Sequence, residues 1–209
     1  GKAVEINALW HSAWRWRSAF ATALGEAPDT FDIIAERVRK SFAGFHDSEH
    51  AHLADVIDGE HGVDFSLRPN QLFATGCAHP PIEGELAARV LESCEQALIV
   101  PTGLRTLPPS DTRYQGLYQG DQATRDAAYH MGTAWPWLLG PYLRTHLRVR
   151  KDPIAVRTVL GEFVMEMARR GMGSIGEVCD GDEPHRPGGC LAQAWSVGEI
   201  LATWLETGC

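Results

Sequence analysis

Residues 152–167, with the sequence DPIAVRTVLGEFVMEM, carry the strongest structural signal in the chain. Asp152 is a favourable helix N-cap, and Pro153 suits the first helical position because an N–H there would have no partner within the helix. Apolar side chains then recur at three- and four-residue spacing, at Val156, Val159, Leu160, Phe163, Val164 and Met167. The stretch predicts an amphipathic α-helix with one buried face.

Patterns of the same kind recur along the chain and predict an all-α fold. Asp29 is expected to cap a second helix, and a short helix is expected from Pro69. Short extended segments are plausible at residues 52–57 and 98–100, but nothing in the pattern supports a large sheet. The helix that begins at Asp29 is expected to reach about residue 42. Further helices are expected at about residues 4–24, 83–98 and 191–206, and from the Trp-Pro-Trp element to residue 149.

Composition and charge limit the class of partner. The 209 residues are 44% hydrophobic and 22% charged, which suits one well-buried domain over residues 1–209. A formal net charge of −8 offers no basic surface to nucleic acid or anionic membrane, so a neutral ligand fits better. No apolar run approaches the roughly 18 residues of a membrane span, and no signal-peptide pattern opens the chain. Because the chain starts at Gly1 without an initiator Met, we expect it to be part of a longer protein.

The thiols and histidines favour structural roles. The number of cysteines is odd, and no two of them form a CxxC pair. Both features favour reduced thiols in a cytoplasmic protein. A bridge or metal between Cys179 and Cys190 around His185 is the weaker alternative. The histidines of residues 46–61 fit no metal-ligand template, so a solvated loop is favoured there. No metal or cofactor is expected. The cysteines are Cys77, Cys94, Cys179, Cys190 and Cys209.

Three segments concentrate groups that suit carbohydrate chemistry: residues 129–137 (YHMGTAWPW), 173–177 (GSIGE) and 193–196 (QAWS). Tryptophan rings around a proline offer flat faces to a sugar, and a carboxylate in a glycine-flanked loop can accept a proton. Two of these segments lie in or beside long polar loops, and loops of that length in a compact domain are usually functional. Together they predict a carbohydrate site, although a loop glutamate alone is inert in most proteins.

The order and spacing of these segments and several others resemble the C-terminal part of the amylo-α-1,6-glucosidase domain of glycogen debranching enzymes, almost from end to end. The resemblance implies an (α/α)6 toroid of the six-hairpin glycosidase type, present as its C-terminal half or somewhat more, with the active site in loops at one end. The segments are 3–10 (AVEINALW), 67–71 (LRPNQ), 103–107 (GLRTL) with Asp111 and Tyr114, 125–126 (RD), 129–137, 174–177, 180–182 (DGD), 189–190 (GC) and 193–197.

The resemblance implies hydrolysis, with inversion, of the α-1,6-linked glucose left at a trimmed branch point of glycogen or a limit dextrin. Inversion requires a general acid and a general base roughly 6.5–9.5 Å apart. Glu177 matches the family's base, with Asp180 and Asp182 as rivals. The family's acid belongs to an earlier Arg-Asp motif, in the missing N-terminal part of the same domain, and Asp126 belongs to a different family element. We therefore expect the chain alone to be inactive.

The candidate substrate-binding residues have structural alternatives. Trp135 is expected to line the pocket, more so than Trp137, but either ring could belong to the core. His130 either donates a hydrogen bond to a sugar hydroxyl or holds its loop. The Asn70 amide either orients a turn or meets the sugar, and the turn is favoured. The full set is Trp135, His130, Trp195, Asn70, Gln71, Asp111 and Arg105.

Structural roles are also expected for several charged and aromatic residues. Arg68 should form a buried ion pair with Asp55 or Asp64. Trp10 and Trp204 should pack in the interior, with Trp10 as a possible exception.

Two other functions remain open. The chain could belong to a noncatalytic glucan-binding helical module, which the length of the natural gene would reveal. It could instead belong to a related toroid that cleaves another glucoside, as glucoamylase-like and trehalase-like enzymes do, which a screen of linkages with the complete protein would reveal.

Overall fold

The computed structural model describes residues 1–169 and 173–208, and the expected reduced thiol of Cys209 lies outside them. The chain divides into two compact units, Gly1–Ser93 and Cys94–Cys209. The assignment of residues 1–209 to one domain stays a prediction. Within the described ranges, no helix combines the length and apolar character that crossing a bilayer requires.

The first unit combines helices α1 to α4 with a small sheet. Three short strands pair antiparallel in the order β1-β2-β3, and Trp14 stacks on Phe31 across α1 and α2 with ring centroids 5.9 Å apart. The core includes the fully buried Phe42, Phe45 and Leu72. The elements are β1 (Lys2–Ala3), α1 (Val4–Ala23), α2 (Asp29–Ser41), a 3-10 turn (Phe42–Phe45), β2 (Val56–Gly59), β3 (Gly62–Asp64), a second 3-10 turn (Pro69–Leu72), α3 (Phe73–Gly76) and α4 (Gly84–Ala97), which ends beyond this unit.

The second unit combines four helices with a five-stranded antiparallel sheet among its described residues. The strands follow chain order, β4-β5-β6-β7-β8, so segments far apart in sequence become neighbours. Ala134 of β6 lies opposite Cys179 of β7, and Val178 lies opposite Gly188 of β8. The elements are β4 (Ile99–Val100), β5 (Gly103–Arg105), α5 (Gln122–Ala128), β6 (Ala134–Trp135), a 3-10 turn (Pro136–Leu138), α6 (Leu139–Arg150), α7 (Pro153–Arg169), β7 (Val178–Cys179), β8 (Pro187–Gly188) and α8 (Ala194–Glu206).

Helix α7 confirms the prediction made for residues 152–167. The Asp152 carboxylate accepts hydrogen bonds from the backbone N–H groups of Ile154 and Ala155 at 3.1 and 3.0 Å, as an N-cap does. The face predicted to be buried is buried at Val156, Leu160, Phe163 and Met167, whereas Val164 is 45% exposed.

Other details differ from the sequence-based expectations. Asp29 is not an N-cap, since Pro28 occupies that position and no side chain caps α2. Helix α8 begins at Ala194 instead of residue 191, and α5 lies outside the helices expected from the sequence. Trp204, expected to pack, is 37% exposed, and Trp10, the possible exception, is 52% exposed. The helical class is confirmed. The five-stranded sheet is larger than the sequence pattern indicated, because strands of only two or three residues leave little pattern in the sequence.

Candidate active site

Glu177 directly precedes β7, at the point where three strands meet. Its backbone N–H donates to the carbonyl of Cys190 at 2.9 Å, which ties the residue to the segment that follows β8. The side chain is half-buried. Pairing of β6 with β7 and of β7 with β8 fixes the backbone on either side of the carboxylate.

The Glu177 carboxylate accepts three hydrogen bonds. Tyr129 Oη donates to Oε1 at 2.6 Å, the Cys190 N–H donates to Oε2 at 2.8 Å, and Gln193 Nε2 lies 3.3 Å from Oε1. A carboxylate offers about four acceptor directions, so these neighbours within the described chain leave about one for another donor, such as a water.

Tyr129 lies in the aromatic segment of residues 129–137, but its residue type and position predicted no particular role for it. Its carbonyl accepts hydrogen bonds from Trp135 Nε1 at 3.0 Å and Thr133 Oγ1 at 2.8 Å. Burial, followed by the hydrogen bond to Glu177, raises the pKa of the Tyr129 hydroxyl above its usual value. Tyr129 is therefore a neutral donor with a fixed backbone. The contact of Gln193 with Glu177 was not predicted either. For both residues, the only signal in the sequence was a position inside a motif segment.

An aromatic cluster surrounds Tyr129, and we use this term for Tyr129, His130, Trp135, Trp137 and Trp195. The His130 ring stacks on Trp135 with centroids 5.3 Å apart, and Trp195 stacks on Trp137 at 5.1 Å. Trp135 is only 3% exposed, whereas Trp195 is 47% exposed, and His130 is also exposed. The surfaces accessible to a ligand are therefore those of Trp195 and His130, with Trp135 behind them.

The two aspartates after β7 have structural partners. Asp180 is 1% exposed and accepts hydrogen bonds from the Tyr118 N–H at 2.6 Å and from Gln119 Nε2 at 2.8 Å. Asp182 accepts from the Tyr114 hydroxyl at 2.7 Å, and burial, followed by this bond, raises the pKa of Tyr114 to about 12. Both carboxylates fasten the loop of residues 114–119 to the β7–β8 hairpin. This geometry favours Glu177 over either aspartate as the base.

Arg105 and Asp111 lie in the same unit as Glu177. Arg105 Nε donates to the carbonyl of Gly181 at 2.9 Å, so the guanidinium supports the loop after β7. Asp111 is clasped by Arg113, whose Nη2 lies 2.7 Å from Oδ2. Neither side chain contacts Glu177 in the hydrogen bonds of the described residues.

Asn70 and Gln71 lie in the first unit, where their amides hold backbone and side-chain groups. Gln71 is 1% exposed; its Oε1 accepts from the Leu53 N–H and its Nε2 donates to the Arg68 carbonyl, both at 3.0 Å. Asn70 Nδ2 donates to Asp55 Oδ1 at 2.9 Å. The buried position of Gln71 points to a structural role instead of direct sugar contact.

Arg68 and Asp55 form the ion pair expected from the sequence, with 3.6 Å between Nε and Oδ2 and side chains 13% and 11% exposed. In the histidine-rich segment, His50 stacks on Phe65 with centroids 3.9 Å apart, and its Nδ1 lies 2.9 Å from Asp47 Oδ1. Among the described residues, no group of three or more His, Cys, Asp or Glu side chains is placed to hold a metal.

The described cysteines are free thiols, at Cys77, Cys94, Cys179 and Cys190. Cys190 is exposed and donates its Sγ–H to the Ala192 carbonyl at 3.3 Å. Cys179 is buried in β7. The two form no bridge.

Comparison with solved structures places this fold among glycoside hydrolases. A mannosylglycerate hydrolase of glycoside hydrolase family 63 from Thermus thermophilus, solved with glucose, superposes with a TM-score of 0.71 over 98% of this chain and 47% of its own, at 17% identity. A neutral trehalase of Saccharomyces cerevisiae gives 0.72 over 99% of this chain and 38% of its own, at 10% identity. These matches show the α/α toroid type of fold.

Sequence comparison identifies the family. The glycogen debranching enzyme of Saccharomyces cerevisiae is 34% identical over 98 residues, which is 43% of this chain and 6% of that enzyme. The chain thus spans a small part of this relative and less than half of the solved structures. The model of the amylo-alpha-1,6-glucosidase family matches residues 1–202. The chain belongs to the amylo-alpha-1,6-glucosidase family.

Proposed function

We propose that this chain supplies the general base, Glu177, of a glycogen-debranching α-1,6-glucosidase that works with inversion. The observation that carries the proposal is the carboxylate of Glu177, half-buried, held by Tyr129 and the Cys190 N–H, and left with room to accept one more donor. It lies beside an aromatic cluster whose outer ring, Trp195, is 47% exposed. The family match supports glycogen or a limit dextrin as the substrate.

In the proposed reaction, Glu177 takes a proton from a water as the water oxygen bonds to C1 of the branch glucose. The bond between C1 and the leaving O6 breaks, and a general acid gives O6 its proton. The products are β-glucose and a debranched chain. We place the acid in an earlier part of the same domain, because the family's acid belongs to an Arg-Asp motif that this chain lacks and the chain spans less than half of the solved structures that share its fold.

The proposed binding residues divide by exposure. Trp195 and His130 offer accessible rings that suit the C–H faces of glucose. Trp135 supports them from behind, and Arg105 and Asp111 act on the loops around the site. Asn70 and Gln71 act by holding their own segment in shape.

The test uses the complete protein that contains this chain. Glu177→Gln keeps the size of the side chain but cannot accept the proton, so kcat should fall by about 10²- to 10⁴-fold with KM little changed. NMR of the released glucose should show the β anomer first in the wild type. Asp180→Asn and Asp182→Asn are the matched variants.

Near-normal turnover in Glu177→Gln, with loss in an aspartate variant, would remove Glu177 from the mechanism. The chain alone should release no glucose from a limit dextrin, because it lacks the acid. Robust release by the chain alone would show that the acid lies within it.

A second candidate substrate class follows from the fold matches. Enzymes acting on other glycosides, among them the mannosylglycerate hydrolase and the trehalase, share this fold over 98–99% of the chain. Assaying the complete protein against α-1,6-glucosyl limit dextrin, trehalose and mannosylglycerate separates these cases. A noncatalytic glucan-binding module would bind dextrin and cleave none of the three.

We further propose a cytoplasmic location, where glycogen is stored. The free thiols of Cys77, Cys94, Cys179 and Cys190 support a reducing compartment. The formal net charge of −8 supports a neutral polysaccharide as partner in preference to nucleic acid or anionic membrane.

A further inference from the structure

Tyr129 is the side chain that most directly controls the Glu177 carboxylate. We propose that Tyr129 is a positioning residue for the base: its hydroxyl fixes the orientation of the carboxylate, so that the remaining acceptor direction meets the attacking water. This inference rests on the proposed function and adds a residue that acts through Glu177.

The geometry shows a strong bond from a rigid donor. The distance of 2.6 Å from Tyr129 Oη to Glu177 Oε1 is in the range of a hydroxyl donating to a charged carboxylate. The ring lies against Trp135 and His130, each with centroids 4.7 Å away, and near Tyr118 at 5.6 Å. Because the neighbouring rings restrict rotation, the hydroxyl position is set before substrate binds.

The backbone of Tyr129 is fixed as firmly as its ring. Its carbonyl accepts the hydrogen bonds from Trp135 Nε1 and Thr133 Oγ1. Trp135 therefore links the buried part of the aromatic cluster to the base through Tyr129. This gives Trp135 a purpose that does not depend on touching the sugar.

The electrostatics keep Tyr129 a donor. The titratable and charged groups around its hydroxyl are Glu177, Tyr118 and Asp126, and the ring of His130 packs against its own. Burial, followed by the hydrogen bond and the charge of Glu177, raises the pKa of Tyr129. The phenol therefore keeps its proton and remains a donor throughout the pH range in which a glucosidase acts.

A matched control exists in the same unit. Tyr142 Oη donates to Glu95 Oε1 at 3.0 Å, and Tyr142 is buried. Tyr142→Phe thus removes the same type of bond, from a phenol to a carboxylate, at a position outside the aromatic cluster. Any effect of Tyr129→Phe that Tyr142→Phe lacks reports on the base instead of on packing.

The experiment measures kcat, KM and kcat/KM against pH for the complete protein and its Tyr129→Phe, Tyr142→Phe and Glu177→Gln variants, with a limit dextrin as substrate. Tyr129→Phe should lower kcat roughly ten- to hundredfold with little change in KM, since a base displaced by about 1 Å loses rate on this scale. A loss in kcat with KM retained indicates a misplaced base, since general damage to the site would also change KM. Tyr142→Phe should keep the wild-type profile.

A second variant keeps the test decisive if Tyr129→Phe folds poorly. Difluorotyrosine at position 129 keeps the ring and the donor but ionises at a lower pH than tyrosine, so its kcat should match the wild type in acid and fall at higher pH as the phenol loses its proton. An unchanged profile and kcat in both position-129 variants, together with an inactive Glu177→Gln, would overturn the positioning role while leaving the proposed function intact. Full activity in Glu177→Gln would overturn the proposed base itself, and with it the role of Tyr129.

Discussion

Gly189 lies beside the Glu177 carboxylate. Its φ is +65°, in the left-handed region that favours glycine. A Cβ at this position would overlap Glu177 Oε2 and lie 2.9 Å from Val178 Cγ1. The neighbouring Cys190 N–H donates to the same carboxylate oxygen, so the glycine lets the backbone reach the carboxylate.

Gly189→Ala should therefore displace the Glu177 carboxylate and strain the turn. We expect kcat of the complete protein to fall by about 10²-fold, the scale for a misplaced catalytic group, with a stability loss of about 1–2 kcal/mol from the left-handed residue. Initial rates on limit dextrin and urea unfolding measure the two effects.

Gly161→Ala is the matched control, because Gly161 lies within α7 and a Cβ there meets no atom within 4 Å. It should leave kcat unchanged and raise the free energy of unfolding by up to about 1 kcal/mol. Wild-type turnover in Gly189→Ala would show that the carboxylate has room to move, contrary to the geometry.

Residue type and residue exposure are predictable to different degrees. The sequence identified the segments that hold Glu177, Trp135 and Trp195, since their composition suits a sugar site. It could not tell which tryptophan is accessible: Trp135, the preferred platform, is 3% exposed and Trp195 is 47% exposed. That difference arises because Trp135 belongs to β6, a strand within the sheet. A strand of two residues has no local sequence pattern from which the burial of its side chains could be predicted.

At the scale of elements, two aspartates expected to cap helices behave differently. Asp152 accepts hydrogen bonds from two backbone N–H groups at the start of α7. Asp29 is instead the first residue of α2, after Pro28, and caps nothing. The Asp-Pro order at 152–153 places the proline inside the helix, whereas Pro-Asp at 28–29 places it before the helix, which explains the difference.

Asp152→Ala should thus lower the free energy of unfolding by about 1–2 kcal/mol, because it removes the cap and the charge near the helix N-terminus. Asp152→Asn should retain most of the stability, since an amide oxygen also caps. Urea denaturation followed by circular dichroism gives the values.

Asp29→Ala is the comparison variant and should cost only a few tenths of a kcal/mol, because it removes an exposed charge in a first turn but no cap. Equal losses in Asp152→Ala and Asp29→Ala would show that the charge matters and the capping geometry does not.

Helices and strands also differ in how far the sequence predicts them. Helices α1, α4 and α7 follow long apolar patterns, and their bounds lie close to the expected ones. The strands β4 to β8 are two or three residues long, too short to show an alternating pattern. They depend on pairing between distant segments, such as Ala134 with Cys179. Apart from the extended segment expected at residues 98–100, where β4 lies, the sheet that positions Glu177 was therefore not visible in the sequence.

At the scale of the whole molecule, the family was predictable because its motifs occur in order along the chain, and the family model matches residues 1–202. The contacts between side chains within the candidate site were less predictable from the sequence. Tyr129 and Gln193 contact Glu177 from 48 and 16 residues away, and only folding brings these side chains together.

Two buried histidines should make the stability of the molecule depend on pH. Burial lowers the pKa of His146 below its ordinary value of 6.5, and the nearby Arg150 guanidinium lowers it further. Burial likewise lowers the pKa of His11, in the other unit. His146 Nε2 lies 3.1 Å from Arg150 Nη1, so this nitrogen accepts, and a proton there would face a cation.

The unfolded chain therefore binds protons to these histidines at a higher pH than the folded chain does. The stabilisation from keeping them neutral is fully present above pH 6.5 and is lost as the pH falls through the lower folded values. Carboxylates whose pKa is lowered, such as Asp121 at the start of α5, lose their contribution only further into acid, below an ordinary value of 3.8. We expect the free energy of unfolding to decline as the pH falls below 6.5. The decline should be smaller in the His11→Gln, His146→Gln double variant, and the exposed His61→Gln should match the wild type. Urea unfolding at half-unit pH steps measures each slope, and a double variant as steep as the wild type would assign the pH dependence to other groups.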